Sequence, residues 1–140
     1  MLIRKLCAAF ILLLLSAQPA FGTSIIINPD QAVSELTLTT VRAKFAMRIP
    51  VWPDATPVRV FVLDDNDSLH IDFCKSILGM FPYQLRRIWD RQVFSGTGIA
   101  PVVVASEAEM LARVAATRGA IGYLSDSFVD DSVRGVKIPL

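Results

Sequence analysis

Ser106 to Leu124 reads SEAEMLARVAATRGAIGYL, and this stretch decides the fold. Ser106 followed three residues later by Glu109 forms a capping box, in which the hydroxyl accepts from the Glu109 amide and the carboxylate reaches back to the Ser106 amide. A helix therefore starts here. Ala108, Leu111, Ala112 and Ala115 recur at helical spacing, widened by Met110 and Val114, while Glu107, Glu109 and Arg113 take the other side, so one face is expected to be buried. Gly119 stands where the helix must stop, in the left-handed C′ conformation that costs glycine least. Ala120-Ile121-Gly122-Tyr123-Leu124 has too little polarity to alternate and predicts a short strand covered on both faces, with glycines where neighbours pack close. Helix and strand make the αβ half of a βαβ unit.

Outward from there, Pro101-Val102-Val103-Val104 supplies the strand before the helix. Ser24-Ile25-Ile26-Ile27 is a β-branched run ended by Asn28-Pro29-Asp30, and predicts a first strand buried on both faces. Thr37 caps a short helix with Leu38, Val41 and Phe45 on its apolar side and Thr40, Arg42 and Lys44 on the other. Pro50, Pro53 and Pro57 make a rigid connection, with Trp52 covering an edge of the core, before a strand at Val58-Arg59-Val60-Phe61-Val62-Leu63. Asp64-Asp65-Asn66-Asp67-Ser68 is the most polar run and has to be a loop. The next helix turns Leu69, Phe73, Cys74, Ile77 and Leu78 inward and is closed by Gly79. Pro82 opens a third, with Leu85, Ile88, Trp89 and Val93 as its stripe and Arg86, Arg87, Asp90 and Arg91 facing water. Phe94-Ser95-Gly96-Thr97-Gly98 is a turn, and Val136-Lys137-Ile138 a last short strand. Strands alternating with helices predict a three-layer α/β/α sandwich around a mixed sheet.

The 140 residues leave room for one domain with a proper core. Arg4 and Lys5 precede the apolar run Leu6 to Leu15, and Ala20-Phe21-Gly22 offers small residues where a signal peptidase reads, so residues 1–22 are expected to be a secretory signal and 23–140 the mature domain. The run is short of the ~20 apolar residues of a membrane span, and Cys7 lacks a lipobox. Of the 14 lysines and arginines all but Arg4 and Lys5 remain beyond the signal, against 13 acidic side chains. That balance argues against nucleic acid or an anionic membrane as partner. Cys74 is then the one remaining cysteine, a small core residue with no disulfide to form. No cofactor is implied: Ser95-Gly96-Thr97-Gly98 follows a helix rather than a strand and lacks the third glycine of a dinucleotide loop. No nucleophile elbow, His-Glu metal motif or cysteine–histidine pair with a third partner is visible, so an enzyme is not expected.

Leu36-Thr37-Leu38-Thr39, Phe45, Trp52-Pro53-Asp54, Phe73, Leu78-Gly79, Trp89, Phe94-Ser95-Gly96-Thr97-Gly98 and Gly119-Ala120-Ile121-Gly122-Tyr123 stand in an order and spacing that resembles the periplasmic phosphate-binding proteins of ABC transporters, and more closely their short single-lobe relatives. The resemblance implies the type-2 periplasmic binding fold, of which the 118 residues from Thr23 to Leu140 would be about one lobe. It also implies a periplasmic location, a small oxyanion as solute, and an envelope transporter or sensor as partner. In the full-length binders an arginine and a Gly-Ser-Gly-Thr loop entering a helix give donors to the oxyanion. Here that run is Leu63-Asp64-Asp65-Asn66-Asp67-Ser68-Leu69-His70, in which Asp65 alone matches, and the glycine-lysine pair after the first helix is replaced by Met47-Arg48.

The candidate ligand-binding residues are therefore Asp65, Asn66, Ser68 and His70, with Ser95 and Thr97 as turn residues whose second role would be to line the same cleft. His70, the one histidine, is expected to be solvated or capping, or else a donor at an anion site shared with Asn66 and Ser68. Asp64, Asp65 and Asp67 offer oxygen ligands to a hard cation, but the later glutamate of a calcium loop is missing. Two functions stay open: a phosphate-type solute-binding domain with a degenerate oxyanion loop, and an envelope interaction or sensing module that keeps the fold without the ligand.

Overall fold

The computed structural model describes residues 22–139; all but the last residue of the expected signal lies outside them. Five strands and four helices follow one another as β1 (Thr23–Ile27), α1 (Leu38–Phe45), β2 (Arg59–Val62), α2 (Ser68–Phe73), α3 (Pro82–Phe94), β3 (Val102–Val103), α4 (Glu107–Ala116), β4 (Ala120–Ser125) and β5 (Arg134–Val136). The sheet order is β3-β2-β4-β1-β5. β2 is parallel to β3 and β4, whereas β1 runs antiparallel to β4 and β5. The predicted mixed sheet is thus observed.

Helices cover both faces. On one, Gly122 of β4 lies under α4, where an added Cβ would come within 2.7 Å of the Met110 sulfur. On the other, Tyr123 stacks on Phe73 of α2 with ring centroids 3.9 Å apart, and Phe73 meets Phe45 of α1 edge-on. α3 joins that side through Trp89, whose indole N–H donates to the Phe45 carbonyl (2.7 Å). β1 and β4 are buried throughout their centres, Ile25, Ile26 and Ile27 no less than Ala120 to Leu124, as expected of strands with apolar neighbours on both faces.

Several details depart from the sequence pattern. The buried stripe of α4 is centred on Met110 and Val114, while Ala108 and Ala112 are exposed, because the larger side chains fill the groove over Gly122. α4 stops at Ala116. Its last carbonyls are taken by Asn28, whose amide donates to Val114 and Ala115 (3.1 Å each), and Gly119 instead makes the turn into β4 at φ +79°. α2 runs into a wider π turn at Cys74–Leu78 before Gly79 closes it in the left-handed region, which keeps Cys74 and Leu78 buried while Leu69 and Ile77 reach the boundary. β3 is shorter than predicted, and the final strand lies two residues earlier, with Lys137 instead bridging Glu35. Trp52 is fully buried, its indole N–H donating to the Gly119 carbonyl (2.9 Å). Lys44, expected on the solvated side of α1, is buried.

Candidate functional site

In a sheet of this kind the crevice lies beyond the carboxyl ends of the parallel strands. Here those ends are the loop after β2, the loop after β3 and the end of β4, and α2 and α4 both start from them. Side-chain oxygens of the chain itself take some of the donors at each. Asp64 accepts from the Asn66 amide (2.9 Å). Asp67 caps α2, its Oδ1 accepting from the amides of Leu69 (2.8 Å) and His70 (3.4 Å). Half of the expected capping box of α4 forms, with Ser106 accepting from the Glu109 amide, while Glu109 accepts from the amide of Ala105 rather than of Ser106. Glu107 accepts from both the amide and the hydroxyl of Ser125 (2.6 Å each).

Beneath this mouth lies a buried polar chain. His70 is fully buried, which corrects its expected solvated place. The Tyr123 hydroxyl accepts from the Leu63 amide (2.9 Å) and is hydrogen-bonded to His70 Nδ1. The Leu63 amide is itself a donor and cannot take the hydroxyl hydrogen, which therefore goes to Nδ1 and leaves the imidazole proton on Nε2. Nε2 faces the Cys74 sulfur (3.5 Å) and the Asp65 carboxylate (3.7 Å). Asp65 in turn takes a two-pronged ion pair from Arg86 (2.6 and 2.9 Å), so Arg86 is tied down rather than simply facing water.

Burial lowers the His70 pKa against the opposing pull of Asp65, so the ring stays neutral. The Arg86 hydrogen bonds hold the Asp65 carboxyl below the ordinary carboxylate range. Burial pushes the Cys74 thiol up to about 12 and raises the Tyr123 phenol well above its usual value. A thiol so protonated is no nucleophile. This cluster locks the β2–α2 loop onto β4.

The structure brings Asp65 and His70 together and leaves Asn66 and Ser68 exposed beside them. It does not bring Ser95 and Thr97 to that loop. Their hydroxyls bond each other (2.8 Å) and Gln92, and Thr97 lines a separate cleft with Lys44, Met47, Pro57 and Val58 at the amino end of β2. Met47, where the resembling proteins commonly carry glycine, has φ +61°. Among the described residues no three acidic, histidine or cysteine side chains gather as a metal site, and no helix is long and apolar enough to cross a membrane. The sequence reading missed Tyr123, Arg86 and Lys44. For Tyr123 a signal exists: a tyrosine in a strand covered on both faces must find a partner for its hydroxyl.

This architecture is that of one lobe of the phosphate-binding proteins. The chain superposes on a Clostridium perfringens protein assigned as a phosphate ABC transporter substrate-binding protein, solved with bound phosphate, at a TM-score of 0.68 and 24% identity over 84% of this chain and 45% of that one. An ABC-type phosphate transport receptor from Vibrio cholerae matches at 0.64 and 19% identity, over 87% and 51%. PstS from Borrelia burgdorferi matches at 0.64 and 11%, over 84% and 47%. The chain thus spans about half the length of these proteins. Its sequence matches no protein-family model and no curated protein.

Proposed function

We propose that this chain is an envelope protein of the phosphate-binding type, related to ABC transport, that keeps the lobe as a recognition or sensing module and does not itself capture phosphate. The observation that carries this reading is the filling of the crevice: the carboxylate of Asp67 takes the amides at the start of α2, where an oxyanion would otherwise bind. Arg86 at the mouth is neutralised by Asp65, and Asp64 adds like charge against any dianion. Capture would require two carboxylates to be displaced or protonated. The partner is then a protein of the envelope, a transporter subunit or a membrane-bound sensor, reading the surface of the lobe.

Calorimetric titration of phosphate into the protein at low ionic strength, with sulfate as control, should give no saturable heat. In the variant Asp65→Asn with Asp67→Ser, which frees Arg86 and leaves a neutral cap, weak phosphate binding should appear. A saturable phosphate isotherm in the wild type, unmatched by sulfate, would overturn the proposal in favour of solute capture.

A further inference from the structure

Lys44 sits in the last turn of α1, where a cation suits the helix dipole, yet its side chain is 98% withdrawn from solvent, at 2% relative exposure. Its Nζ has one acceptor, the Val51 carbonyl at 3.4 Å, and lies 4.2 Å from the centre of the Trp52 ring. None of the ion pairs among the described residues involves it. An ammonium carries three donors, so two are uncommitted, and a buried charge without a counterion is costly. Desolvation accordingly lowers its pKa.

Above Trp52 and Lys44 opens a cleft of about 420 Å³, walled by Val33, Leu36, Ile49 and Pro53 with Thr40 of α1, and with Lys44 the one charged group in its lining. The volume falls in the ~300–1,000 Å³ range of small-molecule sites. Ile49 and Val51 leave 36% and 45% of their surface exposed at its rim. The cleft belongs to the amino end of β2 and β4, as the Trp52 bond to Gly119 fixes, at the opposite end of the sheet from Asp64–His70. It is independent of the crevice and of the function proposed for it.

We propose that this cleft binds a monocarboxylate with a short apolar body, its carboxylate on Lys44 Nζ and its aliphatic or aromatic part against Leu36, Ile49, Trp52 and Pro53. A single buried ammonium with free donors matches a monoanion, and a charge-assisted bond there is strengthened because Lys44 itself is withdrawn from solvent. Beside Lys44 the lining side chains offer a phosphate dianion only the Thr40 hydroxyl, fewer donors than it needs, and an amine would meet like charge.

Octanoate and phenylacetate titrated into the full chain, followed by calorimetry and tryptophan fluorescence, test this, with octylamine and inorganic phosphate as controls. Saturable binding of either acid is expected, with a fluorescence change because Trp52 forms the wall; which acid binds tighter distinguishes a chain-shaped from a ring-shaped ligand. Lys44→Met, which keeps the stem and removes the charge, should weaken binding by about tenfold or more, and Lys44→Arg should retain it. Thr40→Phe, which fills the cleft from α1 and leaves Lys44 in place, should abolish binding in a protein with unchanged circular dichroism, so the proposal remains testable if Lys44→Met does not fold. Failure of both acids to bind the wild type would overturn it, as would octylamine binding as tightly as octanoate or wild-type affinity in a folded Lys44→Met or Thr40→Phe protein.

Discussion

His70 shows how burial changes the meaning of a residue. In the sequence it stands beside Asp67 and Ser68 as a polar residue at a helix start, and nothing local says that Tyr123, 53 positions later, will take its Nδ1. Asp65 was legible as the position that matches the binding proteins, but its ion pair with Arg86 depends on how α3 folds back over the loop. A histidine held neutral by burial has a pKa below its unfolded value near 6.5. The unfolded chain therefore takes up a proton more readily as pH falls through that value, and stability is lost on the acid side until the folded ring also protonates. The urea midpoint should fall between pH 7.5 and pH 5.5, and His70→Gln should flatten that dependence, since no other histidine is present. A wild-type midpoint unchanged over this range would show that the ring is not held neutral.

Among the elements, β4 was the most legible and α1 the least. An apolar run such as Ala120 to Leu124, short and set off by Gly119 from the helix before it, reads as a covered strand, whereas an eight-residue helix with a lysine next to a phenylalanine does not reveal in its own pattern that the Pro50–Pro57 connection will fold over it and bury Lys44. The two-residue β3 and the π turn after α2 were not readable either, because both depend on pairing and packing rather than on periodicity. The turn into β4 is the tightest of these joints. Gly119 has φ +79°, and a Cβ there would stand 2.1 Å from the Pro57 carbonyl oxygen, while its own carbonyl accepts from Trp52 and from the Arg59 amide. Gly119→Ala should cost more than about 2 kcal/mol, from strain and steric conflict together, read as a lowered denaturant midpoint. Gly96→Ala, also at positive φ but with nothing within 4 Å of the added Cβ, should cost clearly less. Equal losses would mean that backbone conformation alone governs both sites.

For the molecule as a whole, the family resemblance and the α/β class followed from the order of motifs, while the closing of the crevice by Asp67, Glu107 and Glu109 required the folded arrangement. The envelope location we propose rests on residues 1–22, and intact-mass analysis of the exported protein should find it beginning at or within a few residues of Thr23; a retained Met1 would refute processing. A last consequence concerns synthesis. β1 pairs with β4 and β5, so this strand finds its partners only when Ala120 to Val136 have followed it. Until then Ile25, Ile26 and Ile27 are an unpaired β-branched segment of the kind that seeds aggregation, and although β2 can already pair with β3 the β1 side of the sheet cannot be completed. Over that interval β1 is a segment that a chaperone or a transport channel can still hold.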